Sequence, residues 1–513
     1  MKRLKAMNNK LLGAALALLF AFPASSLAQV VVAPAPQQPQ QTGPVEQTTK
    51  GAVIKGRAPV NKEVLKVKLP RPQEATLPNG LRVVLLERHK VPTFTMQMVF
   101  FGGGLADPAD YRGLAQFTAT LLREGTATRS SREIAEQVET LGSTLAASAG
   151  LASYTSSVST SGLAENLDPV MGIFADVIRN PKFPQSEVDK FKTRTLALQQ
   201  FQRANVQFLA SERLYRAIYG EHPAGTVVAP PESIRRLTSE DLARFHAANY
   251  RPNNAILAVV GDVTMKELMQ RVERAFGDWQ KGEVQLPKIP AVPAQNTARV
   301  YLVDRPGSVQ TVLQLAAVGI ERTSPDYFAL AVANRVLGGG ASARLFLNLR
   351  EEHGYTYGAY SSFGAGKFPG MWLSYADVKT EVTAGAMEQF MKELKRLRDE
   401  KVPAAELEDA KRAIVGGFAL DLEQPTTLLS NVVTQKIYGL PADYWDAYPQ
   451  KVAAITADDV QRVARKYLDL EHLQIIAVGD ASKTRDVLSK FGQVEVFDAN
   501  GKPVQTGAGK TNP

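Results

Sequence analysis

An internal repeat limits what this chain can fold into more than any other feature. Thr238-Ser-Glu-Asp241 returns as Thr456-Ala-Asp-Asp459, 218 residues later. Each copy precedes a helical pattern and then an apolar run ending in Gly-Asp. The first run is Ala255-Ile-Leu-Ala-Val-Val-Gly-Asp262 and the second is Leu473-Gln-Ile-Ile-Ala-Val-Gly-Asp480, again 218 apart. Ile218-Tyr-Gly220 returns as Ile437-Tyr-Gly439 at an offset of 219, and Gly102 and Pro108 return as Gly319 and Pro325 at 217. Near-constant offsets at four places mark a tandem duplication, the first thing to seek in a long chain. At 513 residues the chain is also too long for one compact core. Within each copy strand patterns come first, over 81–87 and 93–101, then over 298–303 and 311–318. Helical patterns follow, several with Ser or Thr ahead of Glu or Asp as capping requires. The order predicts an α+β fold of two tandem homologous α/β sandwich units, each a sheet with helices packed on one face.

The flanks read differently. Lys2, Arg3, Lys5 and Lys10 precede a short apolar run from Leu11 to Phe22, and Ser26 and Ala28 are small residues where a signal peptidase cuts. This pattern predicts a signal peptide over 1–28, with an uncleaved membrane anchor as the alternative. Residues 29–68, rich in Pro and Gln, read as a linker; so do residues 281–297, with Pro287, Pro290 and Pro293. The units then span 69–280 and 298–492, with a flexible tail over 493–513. The expected location is periplasmic or secreted, with no membrane contact after cleavage. The formal charge of +9 includes the four cations of the leader, so the remainder is only mildly basic, and no basic run carries interleaved aromatics. Nucleic acid is therefore excluded as a partner. With no Cys there is neither a disulfide nor thiol chemistry.

Chemistry concentrates in two segments. The first is Tyr111-Arg-Gly-Leu-Ala-Gln-Phe-Thr-Ala-Thr120, followed by Gly125-Thr126. It resembles the zinc helix of the pitrilysin/insulinase family, which includes the mitochondrial processing peptidases. There the segment reads Gly-Leu-Ala-His-x-x-Glu-His. Two imidazoles at i and i+4 share a helix face and grip zinc, while the Glu between them serves as general base. Here those three positions hold Gln116, Ala119 and Thr120. A neutral amide is a poor zinc ligand, and Ala119 cannot take a proton. The resemblance also implies a third ligand, a Glu, near Thr195-Leu-Ala-Leu-Gln-Gln200, where no acid occurs. His89, His222, His246, His353 and His472 offer no pair at i+3 or i+4, so each reads as a surface or packing residue.

The second segment is Leu337-Gly-Gly-Gly-Ala-Ser-Ala-Arg-Leu-Phe-Leu-Asn-Leu-Arg-Glu-Glu-His-Gly-Tyr-Thr-Tyr357. It resembles the C-terminal half of the same family, where an Arg and a Tyr seven residues apart reach the zinc site, hold the substrate backbone and stabilise the oxyanion. Arg350 and Tyr357 match that pair. Their bland alternative is an Arg350–Glu351 ion pair with Tyr357 in the core. Arg344 reads as structural. Gly338-Gly-Gly340 lacks the Lys and Ser/Thr of a phosphate loop. The resemblance covers roughly residues 70 to 490 and implies a clamshell chamber. It also implies a zinc-less subunit, inactive alone, that gives Arg350 and Tyr357 to a homologous zinc-binding subunit for hydrolysis of peptides or unfolded segments. Any zinc would belong to that partner. The alternative is a catalytically inactive peptide-binding or structural scaffold of the same fold.

Overall fold

A computed structural model describes residues 63–286 and 288–504. The predicted signal peptide and most of the first linker lie outside the described residues, as do Pro287 and the last part of the tail.

The first sheet contains β1 (Gln73–Thr76), β2 (Arg82–Glu87), β3 (Thr93–Phe101), β4 (Thr144–Ala149), β5 (Thr155–Leu163) and β6 (Ala255–Gly261), in the spatial order β1-β2-β6-β3-β5-β4. The second half supplies β7 (Arg299–Asp304), β8 (Gln310–Val318), the two-residue β9 (Ile320–Glu321), β10 (Thr356–Phe363), the two-residue β11 (Ala365–Gly366), β12 (Met371–Lys379), β13 (Gln474–Gly479) and β14 (Gln493–Phe497). Its main sheet runs β14-β7-β13-β8-β12-β10, and β9 pairs with β11 separately. Five of the six positions correspond; the edge strands differ, because β1 is antiparallel to β2 whereas β14 is parallel to β7. β2 and β6 are parallel, as are β7 and β13; β3 is antiparallel to β6 and β5, as β8 is to β13 and β12. Duplication is thus visible in strand topology as well as in sequence. Both repeated Thr-x-x-Asp segments form the expected capping boxes. Asp241 N donates to Thr238 Oγ1 at 3.2 Å and Asp459 N to Thr456 Oγ1 at 3.1 Å, with the return bonds to each Asp carboxylate at 3.0 Å.

Alternation within the strands decides which face meets which layer. Val83, Leu85, Met96, Met98, Leu257 and Val259 pack under the unit's own helices. The intervening residues Val84, Leu86, Val99, Ile256, Ala258 and Val260 point the other way and are buried too. Strands apolar on both faces need two covers. The second cover comes from the other half: Leu428, Leu429, Val432 and Val433 of the helix Pro425–Tyr438. The exchange is reciprocal. Leu209, Ala210, Leu214 and Ile218 of the first unit's helix Val206–Tyr219 cover Val303, Val312, Ala316, Ile476 and Val478 of the second sheet. Both helices end on the repeated Ile-Tyr-Gly, where Gly220 and Gly439 take φ of 53° and 63° and stop the helix. The sandwich therefore has helices of its own unit on one face and an exchanged helix on the other.

One predicted boundary shifts. Residues 493–497 are not tail: Val494 and Val496 alternate with polar neighbours, and β14 pairs in parallel with β7. The second linker contains no helix or strand among its described residues, yet it is tied down. Gln295 Nε2 donates to Ile218 O at 2.8 Å, and Val292 packs on the core under the exchanged helix.

Candidate functional site

The helix Leu114–Leu121 starts at Gly113, whose φ is 101°. A Cβ there would lie 2.6 Å from Ala229 Cβ and 2.7 Å from Phe117 Cζ, so only Gly fits. Buried Asp107 caps the start, accepting Gly113 N at 2.7 Å and Ala115 N at 2.8 Å. Burial pushes its carboxyl up to about 7, against the pull of those two N–H groups. The start of the helix is thus built with care, but the face that follows carries no metal chemistry. Ala119 is fully buried and Gln116 is half-buried. The Thr120 hydroxyl donates to Gln116 O at 2.8 Å, a bond spent inside the helix. The Phe117 and Phe191 rings, 5.5 Å apart, hold this helix against the helix Gln185–Gln202, which carries residues 195–200.

These side chains do not fit zinc: no imidazole or carboxylate occupies any of the positions the family uses. Among the described residues, no group of three or more His, Asp or Glu is placed to hold a metal ion. Each histidine has a local partner. His89 Nδ1 lies 2.7 Å from Asp262 Oδ1, and that hydrogen bond raises its pKa. His222 Nδ1 accepts Ala224 N, and His353 Nδ1 lies 2.9 Å from Asn348 O. His472 Nδ1 lies 2.7 Å from Asp469 Oδ2. Burial pushes His246 down to about 4, although its Nε2 lies 2.7 Å from Ile178 O.

The second segment is differently made. Arg344 is buried and forms a two-pronged pair with Glu406, at 2.7 and 2.8 Å, as a structural Arg should. Beyond it the chain winds into a turn of π-helix, Leu347–Glu352, closed by His353 N donating to Asn348 O at 3.1 Å. Such bulges are frequent at functional sites, and nothing in the composition announces this one. Arg350 sits in it with its guanidinium 4.7 Å from the centre of the Phe346 ring and Nε 3.4 Å from Glu351 Oε1. Its side chain is 45% exposed. Tyr357, at the head of edge strand β10, is 89% exposed, which excludes the core alternative for that residue. A half-exposed cation in the turn and an exposed phenol at the head of the edge strand that follows offer guanidinium N–H donors and one O–H donor to carbonyl or oxyanion oxygens. Among the described residues, no hydrogen bond or ion pair joins either of them to the Leu114–Leu121 helix.

Two layered units, a two-fold repeat and a zinc helix without zinc donors define a peptidase-like fold of the metal-free kind. Comparison with known proteins fixes the family. Residues 82–232 match the model for Insulinase (Peptidase family M16), and residues 236–414 match that for the Peptidase M16 inactive domain. The chain belongs to the M16 family. An uncharacterized zinc protease of Mycobacterium leprae is 26% identical over 415 residues, covering 80% of this chain and 92% of that protein. The mitochondrial-processing peptidase subunit beta of Saccharomyces cerevisiae is 24% identical over 439 residues, covering 82% and 93%. Among solved structures, the peptidase M16 inactive domain from Pseudomonas fluorescens aligns with a TM-score of 0.74 at 28% identity, covering 80% of this chain and 98% of that one. A Helicobacter pylori protease shares the fold with a TM-score of 0.74 at 21% identity.

Proposed function

We propose that this chain is the zinc-less subunit of an exported, two-chain M16 peptidase, and that it lends Arg350 and Tyr357 to a site whose metal is held by a homologous partner. One observation carries the reading. The helix that would bind metal has no ligand, whereas Tyr357 stands exposed on the edge strand and Arg350, half-exposed in the turn before it, is held only by the Phe346 ring and a 3.4 Å approach to Glu351. Arg350 would hold a substrate carbonyl with a permanent charge. The Tyr357 hydroxyl would donate to the oxygen that becomes negative during hydrolysis. Peptides or unfolded segments are the substrates such a pair suits, and a periplasmic or extracellular setting follows from the leader-like start of the chain.

Affinity purification from the native compartment tests the reading. It should bring down an M16 chain bearing His-x-x-Glu-His, and the mixture should cleave a peptide that neither chain cleaves alone. Arg350→Ala and Tyr357→Phe should lower kcat without weakening assembly. Stoichiometric zinc in the isolated chain, or cleavage by it alone, would sink the proposal. The 3.4 Å approach of Arg350 to Glu351 favours the scaffold as second reading, and full turnover in both variants would select it.

A further inference from the structure

A second feature lies apart from the zinc helix. Between β10, β12 and the exchanged helix Pro425–Tyr438 is a cavity of about 560 Å³, walled by Tyr360, Phe363, Tyr375 and Trp445. Arg322 lines it and is only 7% exposed. Its guanidinium lies 3.9 Å from the centre of the Tyr327 ring and 5.1 Å from that of Tyr444, and Nη1 donates to Tyr444 Oη at 2.7 Å. No carboxylate among the described residues lies within ion-pair distance of it. Arg344 and Arg462, by contrast, each have one at 2.7 Å. Among the described residues its side chain hydrogen-bonds only that phenol, so most of its five donors are free to meet the acceptor of a ligand in the cavity. Two further groups on the same wall are short of partners. Asn334 Oδ1 and Tyr375 Oη are both shielded from solvent and unbonded. Gly338 completes the wall, because a Cβ there would come within 2.3 Å of Ser361 N.

From this set we infer that the cavity is a binding site for a carboxylate carried next to an N–H on an apolar or aromatic body, the chemistry of a peptide's C-terminal residue. Arg322 meets the carboxylate, Asn334 Oδ1 accepts the N–H, Tyr375 donates from its hydroxyl, and the rings enclose the side chain. The cavity adjoins the Arg350 edge through aromatic contacts: Arg350 lies over Phe346, whose ring is 5.7 Å from that of Tyr360. The inference goes beyond the subunit proposal and needs no partner, so the two fail separately.

The test uses the purified full chain and the quenching of Trp445 fluorescence. Trp279 and Trp372, the other tryptophans, are buried in the two cores. Three probes are titrated: Ala-Ala-Ala-Ala-Phe with a free C-terminus, the same peptide amidated, and N-acetylphenylalanine. The free-acid peptide should bind at least tenfold more tightly than its amide. N-acetylphenylalanine, if equal to the acid peptide, identifies a small carboxylate as the ligand, and if weaker, a peptide end. Arg322→Met should abolish the preference for acid over amide. Thr434→Phe, which narrows the cavity and leaves the tryptophan count unchanged, should abolish binding while the melting temperature stays near that of the wild type. Should Arg322→Met not fold, the wild-type comparison decides alone. Equal affinity for acid and amide, or no binding of either at millimolar concentration, overturns the inference.

Discussion

Leu214→Ala is a sharp perturbation of the exchanged helices. Leu214 is 1% exposed and belongs by sequence to the first unit, but it packs in the core beneath the second sheet. Removing its isobutyl group loses transfer energy and leaves a cavity, at a cost of about 3 to 5 kcal/mol for a site of this depth. For a chain of this size the urea dependence exceeds about 3 kcal/mol per molar, so the midpoint should fall by about 1 M. Each half reports on itself: Trp279 lies in the first core and Trp372 in the second. In a Trp445→Phe background, paired single-tryptophan variants follow the two halves apart. Because each sheet loses a cover when the other unit unfolds, both probes should give one shared midpoint, displaced equally by Leu214→Ala. Two separated transitions, or movement of the Trp372 transition alone, would refute the argument that the exchange couples the units.

Other outcomes follow from single side chains. Arg344→Ala leaves Glu406 without its cation in a largely buried site and should cost about 3 kcal/mol or more, read from urea denaturation. Burial alone would raise the Asp326 carboxyl, but hydrogen bonds from Tyr467, Arg462 and Lys466 outweigh it and hold it down to about 2. A carboxyl with a depressed folded pKa stabilises fully above its unfolded value and loses that contribution as pH falls toward 2. Asp326→Asn should therefore flatten the stability profile below about pH 4. Asp107→Ala removes the cap from two buried N–H groups and should cost about 1 to 2 kcal/mol, seen as a lower melting temperature. Arg350→Ala, at a half-exposed site, should move stability by no more than about 0.5 kcal/mol, so any loss of turnover in the complex is functional.

The sequence exposed the duplication, the central strands and the missing zinc donors, because each is written in local pattern. The strand predicted over 93–101 coincides with β3, since Thr93 to Met98 alternates polar with apolar and Val99-Phe-Phe101 continues as an apolar run. β4 and β5 were missed: Thr-Leu-Ala-Ala-Ser-Ala and Thr-Ser-Ser-Val-Ser-Thr-Ser-Gly-Leu carry small and hydroxyl residues where apolar ones are the usual signal. The exchange of helices was also invisible. Continuous burial of Ala255–Gly261 shows that two covers are needed, but not which part of the chain supplies the second. Arg350 and Tyr357 were found through resemblance, whereas Arg322 had no motif to mark it. Its interest lies in an absent counter-charge, which only three dimensions reveal.

The reciprocal helices also bear on symmetry. Each unit sends the same element, ending in the same Ile-Tyr-Gly, onto the corresponding central strands of its twin. Reciprocal exchange of one repeated element is the geometry of a swapped dimer, here held in a single chain by residues 281–297. In an unlinked dimer every surface occurs twice and must serve both places alike. Two copies in one chain need not match position by position, so the Gln116 helix and the Arg350 turn can differ while sharing one folded body.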